Sequence, residues 1–386
     1  MQDRRQLNSL NSLTSLRAFA ALAVLVHHTR NQWGHFAVTD YLCSIGWLGV
    51  SFFFILSGFV LMWGFDPKMR FGDFMFRRFA RIYPLHFFTL VTCLVGYFAI
   101  GDPLAGYVGN LFGTVLNLLL LHGWVVDRPA IAQAWNGVSW TLSCELFFYI
   151  CAVPIFRAMQ KCRLRTLAIS GAVIWLALLS ASVAVSHAQI SWAVEFFLRH
   201  PLPNLIEFYL GAVGALYLKG SLDGSRAFSA RLWSLCAVLG TVPFVVYMVL
   251  HPESTRNPAA INFISIASFF PVIVLFAGLD CSNIKRWFLT RPLFILLGET
   301  SFALYMTHAI VLEIFYKFVV HFAGEQPSPL IGTILLGMYA VLSLLVSVAV
   351  FKFLEMPTRN ALLSAWRRKK SMVALPLRSE PNSGQI

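Results

Sequence analysis

The feature that most constrains this chain is a succession of apolar runs, each close to the roughly 20 residues that a helix needs to cross hydrocarbon. Eleven such runs lie near residues 13 to 30, 42 to 65, 83 to 101, 106 to 124, 138 to 157, 166 to 186, 202 to 219, 231 to 250, 259 to 280, 292 to 320 and 330 to 354. In lipid every backbone polar group has to find its partner inside the structure, so runs of this length predict an all-α, polytopic helical bundle in a membrane. With 58% hydrophobic and 12% charged residues in 386, and a positive mean hydropathy, the chain is too apolar for a soluble domain of its length.

The formal charge of +13 does not mark a nucleic-acid binder. Lys and Arg fall in short clusters between the apolar runs, where loops facing the cytoplasm carry them. If all eleven runs crossed, with the N-terminus inside, the basic stretch 157–165, the loops holding Lys219, Arg226 and Arg231, and the sequence KRWFLTR would all lie outside. Leaving out 106 to 124 returns every cluster to the cytoplasm, including 68–81 and WRRKK at 366–370. That run also carries Gly109, Asn110, Gly113, Asn117 and His122, which fits a re-entrant or partial helix covered by protein. The expected topology is therefore about ten transmembrane helices plus one partial helix, multi-pass in the inner (plasma) membrane, with both termini cytoplasmic. The chain divides into a cytoplasmic segment 1–12, a membrane domain 13–356, and a basic, disordered cytoplasmic tail 357–386.

The seven cysteines are scattered, mostly inside apolar runs, with no CxxC spacing, so neither a disulfide framework nor a metal site is expected. Arg4 and Arg5 before an apolar run look like the start of a signal peptide, but that run holds polar residues and leads into another span.

Those polar residues need an explanation, because charged and titratable groups are costly in hydrocarbon. Arg17 and His28 are eleven positions apart, which at about 100° per residue puts them within roughly 20° of one face and about 16 Å apart along the axis. His27 falls about 80° to the side. One reading has this face lining a site; the other has the histidines capping the helix end in interfacial water while Arg17 snorkels. Glu145 stands in an otherwise apolar and aromatic run, about seven residues from the outer end of its span. A carboxylate there needs a partner, and His28 is the imidazole expected at matching depth, giving a general-base pair. The alternative is a structural interhelical hydrogen bond.

Ser301, Tyr305 and His308 are spaced to share a helix face, either as a site or as packing. Ser57 and Gly58 sit mid-span, where small residues favour close helix packing. Arg78 and Arg81, three residues apart before Pro84, share a face that can grip phosphate, although such clusters also serve as topology signals.

The stretches SLRAFAALAVLVHH, FFFILSGFV, RRFARIYP, SWTLSCELFFY, SFALYMTHA and FLEMP, in this order, resemble the membrane-bound acyltransferase 3 family. That family moves acyl groups onto hydroxyls of sugars, lipopolysaccharide, exopolysaccharide and other acceptors, and the resemblance spans nearly the whole chain. It implies that Arg17 and His28 are essential, that Arg78 and Arg81 serve the acyl donor, and that Glu145 belongs to the site. Ala18 replaces a small residue that is often glycine in the family, and no hydrolase-like domain follows the membrane domain.

The expected activity is transfer of an acetyl group from acetyl-CoA to a cell-envelope glycan or lipid-linked sugar, with the acyl-CoA as a substrate and no permanently bound cofactor. His28, assisted by Glu145, would activate the acceptor alcohol, with His308, Tyr305 and Ser57 as additional candidates. The expected partners are acyl-CoA, the acceptor and membrane lipids. The alternative function is a secondary transporter that uses His, Glu and Arg as a proton relay.

Overall fold

The computed structural model describes residues 10–30, 32, 36–224, 227–251, 257–282, 288–323 and 328–374. Its helices are α1 (Asn11–His28), α2 (Ala37–Ile45), α3 (Gly49–Trp63), α4 (Phe71–Ile100), α5 (Leu111–Leu118), α6 (Trp140–Met159), α7 (Leu164–Ala188) and α8 (Ser191–Arg199). They continue with α9 (Pro201–Leu222), α10 (Ala230–Leu250), α11 (Pro258–Cys281), α12 (Pro292–Glu299), α13 (Ser301–Ala323), α14 (Pro329–Val350) and α15 (Met356–Ala374). No strand occurs among the described residues; residues 105 and 107 make only isolated bridges to 136 and 134. The protein is an all-α polytopic membrane bundle.

Nine segments among the described residues are long and apolar enough to cross a membrane. Helix α1 is outside that set because Arg17, His27 and His28 dilute its apolar character, and counting it gives the ten expected. The run 106 to 124 does break up, into the eight-residue α5 and a 3-10 turn at His122–Trp124. Two sequence expectations need correction. The run 292 to 320 is two helices: Thr300 ends α12, with its hydroxyl folded back onto the Leu297 carbonyl, and its own carbonyl accepts from the Leu304 N–H to open α13. The segment after 356 is helical through Ala374, where a disordered tail was expected from 357. Its order comes from docking: Trp366 stacks on Phe76 of α4 at 4.2 Å and donates to Asp73. Residues 375–386 lie outside the described residues.

Lipid is as apolar as a phenylalanine, so helices in a bilayer associate through close packing and buried hydrogen bonds rather than through transfer from water. The centre of the bundle shows both. Phe54, Phe148, Phe156 and Phe208 form a buried aromatic column across α3, α6 and α9, with centroid spacings of 5.2, 5.2 and 5.6 Å. Alongside it α3 and α9 come into backbone contact: a Cβ on Gly58 would lie 1.8 Å from the Phe208 carbonyl oxygen, and one on Gly211 1.9 Å from that of Ile55. Packing is thus the role of Gly58, as its sequence context indicated. Nearby, Glu207 is buried and accepts from Ser51 (2.6 Å) and Asn262 (3.1 Å), tying α9 to α3 and α11. Helices α7 and α10, with only 11% of each apolar window buried, form the lipid-facing flank.

Candidate active site

The cavity of interest is enclosed by α1, α3, α4, α6 and α13, and measures about 170 Å³. One end is strongly charged. Arg17 from α1 and Arg78 and Arg81 from α4 line it together with Glu145 from α6. The two α4 arginines share a face because they are three residues apart, and each also sits over an aromatic ring: Arg78 over Phe74 at 5.9 Å and Arg81 over Phe302 at 5.4 Å. Arg81 is ion-paired with Glu355, from a π-helical turn (Phe351–Glu355) between α14 and α15. Glu145 accepts hydrogen bonds from Tyr149, one turn along α6, and from Ser57, and is attracted by all three arginines. Ser57 therefore belongs to this cavity, unlike its neighbour Gly58.

The remaining walls are apolar, with Phe53, Phe54 and Leu142 prominent, and Tyr305 lines the cavity on the side of His308. Its hydroxyl accepts from Thr141 and donates to the Val138 carbonyl, both at 3.1 Å. The loop that supplies Val138 is itself pinned to α13 by Asn136 Nδ2, which donates to the Met306 carbonyl at 3.0 Å.

Behind Tyr305 lies His308, with ring centroids 5.9 Å apart, and behind that His28, at 4.8 Å. Hydrogen bonding fixes which nitrogens carry protons. His28 Nδ1 is 2.9 Å from the Val24 carbonyl and His308 Nδ1 is 3.1 Å from the Leu304 carbonyl. A carbonyl only accepts, so both Nδ1 atoms bear hydrogen in the neutral rings. His308 Nε2 is then a lone pair, 3.3 Å from His28 Nδ1, and shares that hydrogen with Val24. The remaining nitrogen, His28 Nε2, holds a lone pair and makes no hydrogen bond among the described residues. His27 is committed elsewhere: its Nδ1 donates to the Cys43 carbonyl at 2.7 Å.

The expected pairing of Glu145 with His28 is therefore corrected. Glu145 shares its depth with Arg17, and Arg17 is about 16 Å along α1 from His28. Placing Glu145 from the outer end of the run 138 to 157 misjudged this, because α6 begins only at Trp140 and the preceding residues fold inward as a loop. The structure brings together Arg17, Arg78, Arg81, Glu145, Ser57 and Tyr305 at the cavity, and His28 with His308 beyond it.

Three contributors escaped the sequence reading. Glu355 was visible as a lone acid in an apolar run within FLEMP, and Tyr149 as the hydroxyl one turn from Glu145. The third is a buried network under the loop, in which His122 Nε2 meets Ser139 Oγ at 3.0 Å. Ser139 points its own hydrogen at the Asn136 carbonyl at 2.7 Å, so it accepts from His122 and does not present its proton to that imidazole. The network holds the loop rather than performing chemistry.

Comparison with known proteins settles the class. A model of the acyltransferase domain matches residues 10–352. The chain belongs to the acyltransferase 3 family. Its relatives include the acyltransferase MdmB of Streptomyces mycarofaciens, 31% identical over 78% of each chain. The exopolysaccharide production protein ExoZ of Rhizobium meliloti (strain 1021) is 26% identical over 86% of this chain and 94% of its own. Nodulation protein 10 of Rhizobium leguminosarum bv. viciae is 27% identical over 69% of this chain and 71% of its own. No solved structure shows a significant match. This acyltransferase is thus an enzyme, and the transporter alternative is set aside.

Proposed function

We propose that this acyltransferase moves an acetyl group from acetyl-CoA to a hydroxyl of a cell-envelope polysaccharide, lipopolysaccharide or lipid-linked sugar, from a site in the inner membrane with both chain termini cytoplasmic. The observation that carries the reading is a cavity lined by three partly buried arginines and by Tyr305, next to the His308 and His28 pair. Arg78 and Arg81 suit the phosphates of a nucleotide-bearing thioester, since guanidinium and phosphate form charge-assisted, paired hydrogen bonds. Arg17 and Glu145 continue the polar path, while the apolar walls suit the uncharged arm and acyl group. The name of the exopolysaccharide relative supports a glycan acceptor.

In this reading the acceptor hydroxyl gives its proton to His28 Nε2 as its oxygen attacks the thioester carbonyl. The C–S bond then breaks, and the departing thiolate takes up the proton released from the His28 imidazolium, directly or through water, so that the thiol leaves and His28 returns to its neutral form. The imidazolium formed on His28 is stabilised by two acceptors at Nδ1, the Val24 carbonyl and His308 Nε2. His308 thereby does the orienting work expected of Glu145, and does so without placing a charge in the membrane. The test is mass spectrometry of envelope glycans from cells with and without the gene, combined with transfer of labelled acetyl from acetyl-CoA in isolated membranes. A glycan that gains acetyl only when the protein is present supports the reading. Identical glycans together with no transfer from any acyl-CoA overturn it.

A further inference from the structure

The helix that follows the matched family residues is attached to the donor end of the cavity. Helix α14 runs into the π turn and on into α15 without a break. The wider turn of a π segment redirects the side chains it carries, and here it delivers Glu355 to Arg81. Arg359 lies one turn further along and interacts electrostatically with Arg78, Arg81, Glu355 and Glu299. The far part of α15 is fastened to the helix that bears those arginines: Trp366 Nε1 donates to Asp73 at 2.9 Å, Lys370 pairs with the same carboxylate, and the Trp366 ring stacks on Phe76.

The charges at this end do not cancel. Arg17, Arg78, Arg81 and Arg359 face the carboxylates Glu145, Glu299 and Glu355. Donor capacity is also left over, since Arg78 Nε is buried without a hydrogen-bond partner among the described residues. Such a cluster has room for an anion with several acceptor oxygens.

We propose that α15 is part of the donor site, with Arg359 a further guanidinium for the donor's phosphates and Glu355 an internal anion that occupies Arg81 until phosphate replaces it. The proposal rests on the reading of Arg78 and Arg81 as donor residues, and it joins α15, through Glu355 and Arg359, to the arginine end of a cavity whose own lining comes from other helices.

The experiment is calorimetric titration of the purified full-length protein with coenzyme A. Arg359→Gln is expected to weaken binding about tenfold, the usual effect of losing one hydrogen bond to a charged group. Arg359→Lys, which keeps the charge, is expected to retain most of the affinity, a rescue that a purely structural role would not produce. Glu355→Gln keeps a hydrogen bond to Arg81 but no longer competes as an anion, so coenzyme A is expected to bind several-fold more tightly. Parent-like affinity in both Arg359→Gln and Glu355→Gln, with weakened binding in Arg81→Ala, overturns the role of α15 while leaving the donor arginines in place. Parent-like affinity in Arg78→Ala and Arg81→Ala as well overturns the donor reading itself.

Discussion

His308 Nε2 lies 3.3 Å from His28 Nδ1, so one neutral imidazole orients another at a depth where a carboxylate partner had been expected. The pair leaves His28 Nε2 without a hydrogen bond among the described residues, and this makes the two histidines separable by mutation. His28→Ala is expected to lower acyl transfer by roughly 10² to 10⁴, the usual contribution of a positioned base, with coenzyme A binding little changed. His308→Phe, which keeps the ring volume but removes the acceptor, is expected to lower kcat by about tenfold with little change in KM. His27→Ala should keep most activity, since its ring is bound to the Cys43 carbonyl. Transfer assays in membranes at matched protein levels check all three, and equal rates for His28→Ala and the parent would refute the assignment.

Glu145→Gln tests the corrected placement of that carboxylate. Removing one charge from a partly buried cluster of guanidiniums leaves them undercompensated, a loss below the ~3 kcal/mol seen for fully buried pairs. We expect a lower melting temperature in detergent, partly restored by coenzyme A, whose phosphates supply the missing anion. A variant with parental stability and a pure loss of kcat would instead return Glu145 to the base.

Close approach of α3 and α9 gives a prediction independent of function. Gly58→Val puts side-chain atoms where the Phe208 carbonyl now sits, and overpacking of this kind costs about 1 to 3 kcal/mol or more. Thermal melts of the purified protein should show the loss, and a parental melting temperature would mean that the two helices separate freely at this point.

Orientation is checked by reporter fusions. With 106 to 124 failing to cross, a reporter near Asp127 should read outside and one near Lys161 inside. The opposite pair of readings would invert the bundle and place the arginines away from the cytoplasm.

The bundle itself was readable because apolar run length and basic flanks are local properties: ten of the expected helical segments exist, and the weak run 106 to 124 does break up. The pairing of Arg78 with Arg81 was equally legible, since a spacing of three places both on one helix face. Depth was not. Glu145 was matched to His28 by counting from the end of an apolar run, and the count failed because residues before Trp140 fold as a loop inside the protein instead of extending the helix. The partnership of His28 with His308 spans 280 positions in the chain and leaves no local trace. Order in α15 was hidden for a similar reason: the segment is basic and polar, and only Asp73 and Phe76, far upstream, supply what Trp366 binds.

Tyr305 has one further consequence. A polar passage from buried arginines on one side to histidines deeper in the bilayer would, if continuous, let protons and ions leak down their gradients. The ring of Tyr305, tied by its hydroxyl to Thr141 and Val138 and packed edge-on against Phe53 at 6.2 Å, stands between the cavity and the two histidines. On the proposed reading, an acyl group bound for His28 would have to move this ring, breaking its two hydrogen bonds. On that reading, the side chain that separates the arginines from the histidines is also the barrier that any ion leak between them would have to cross.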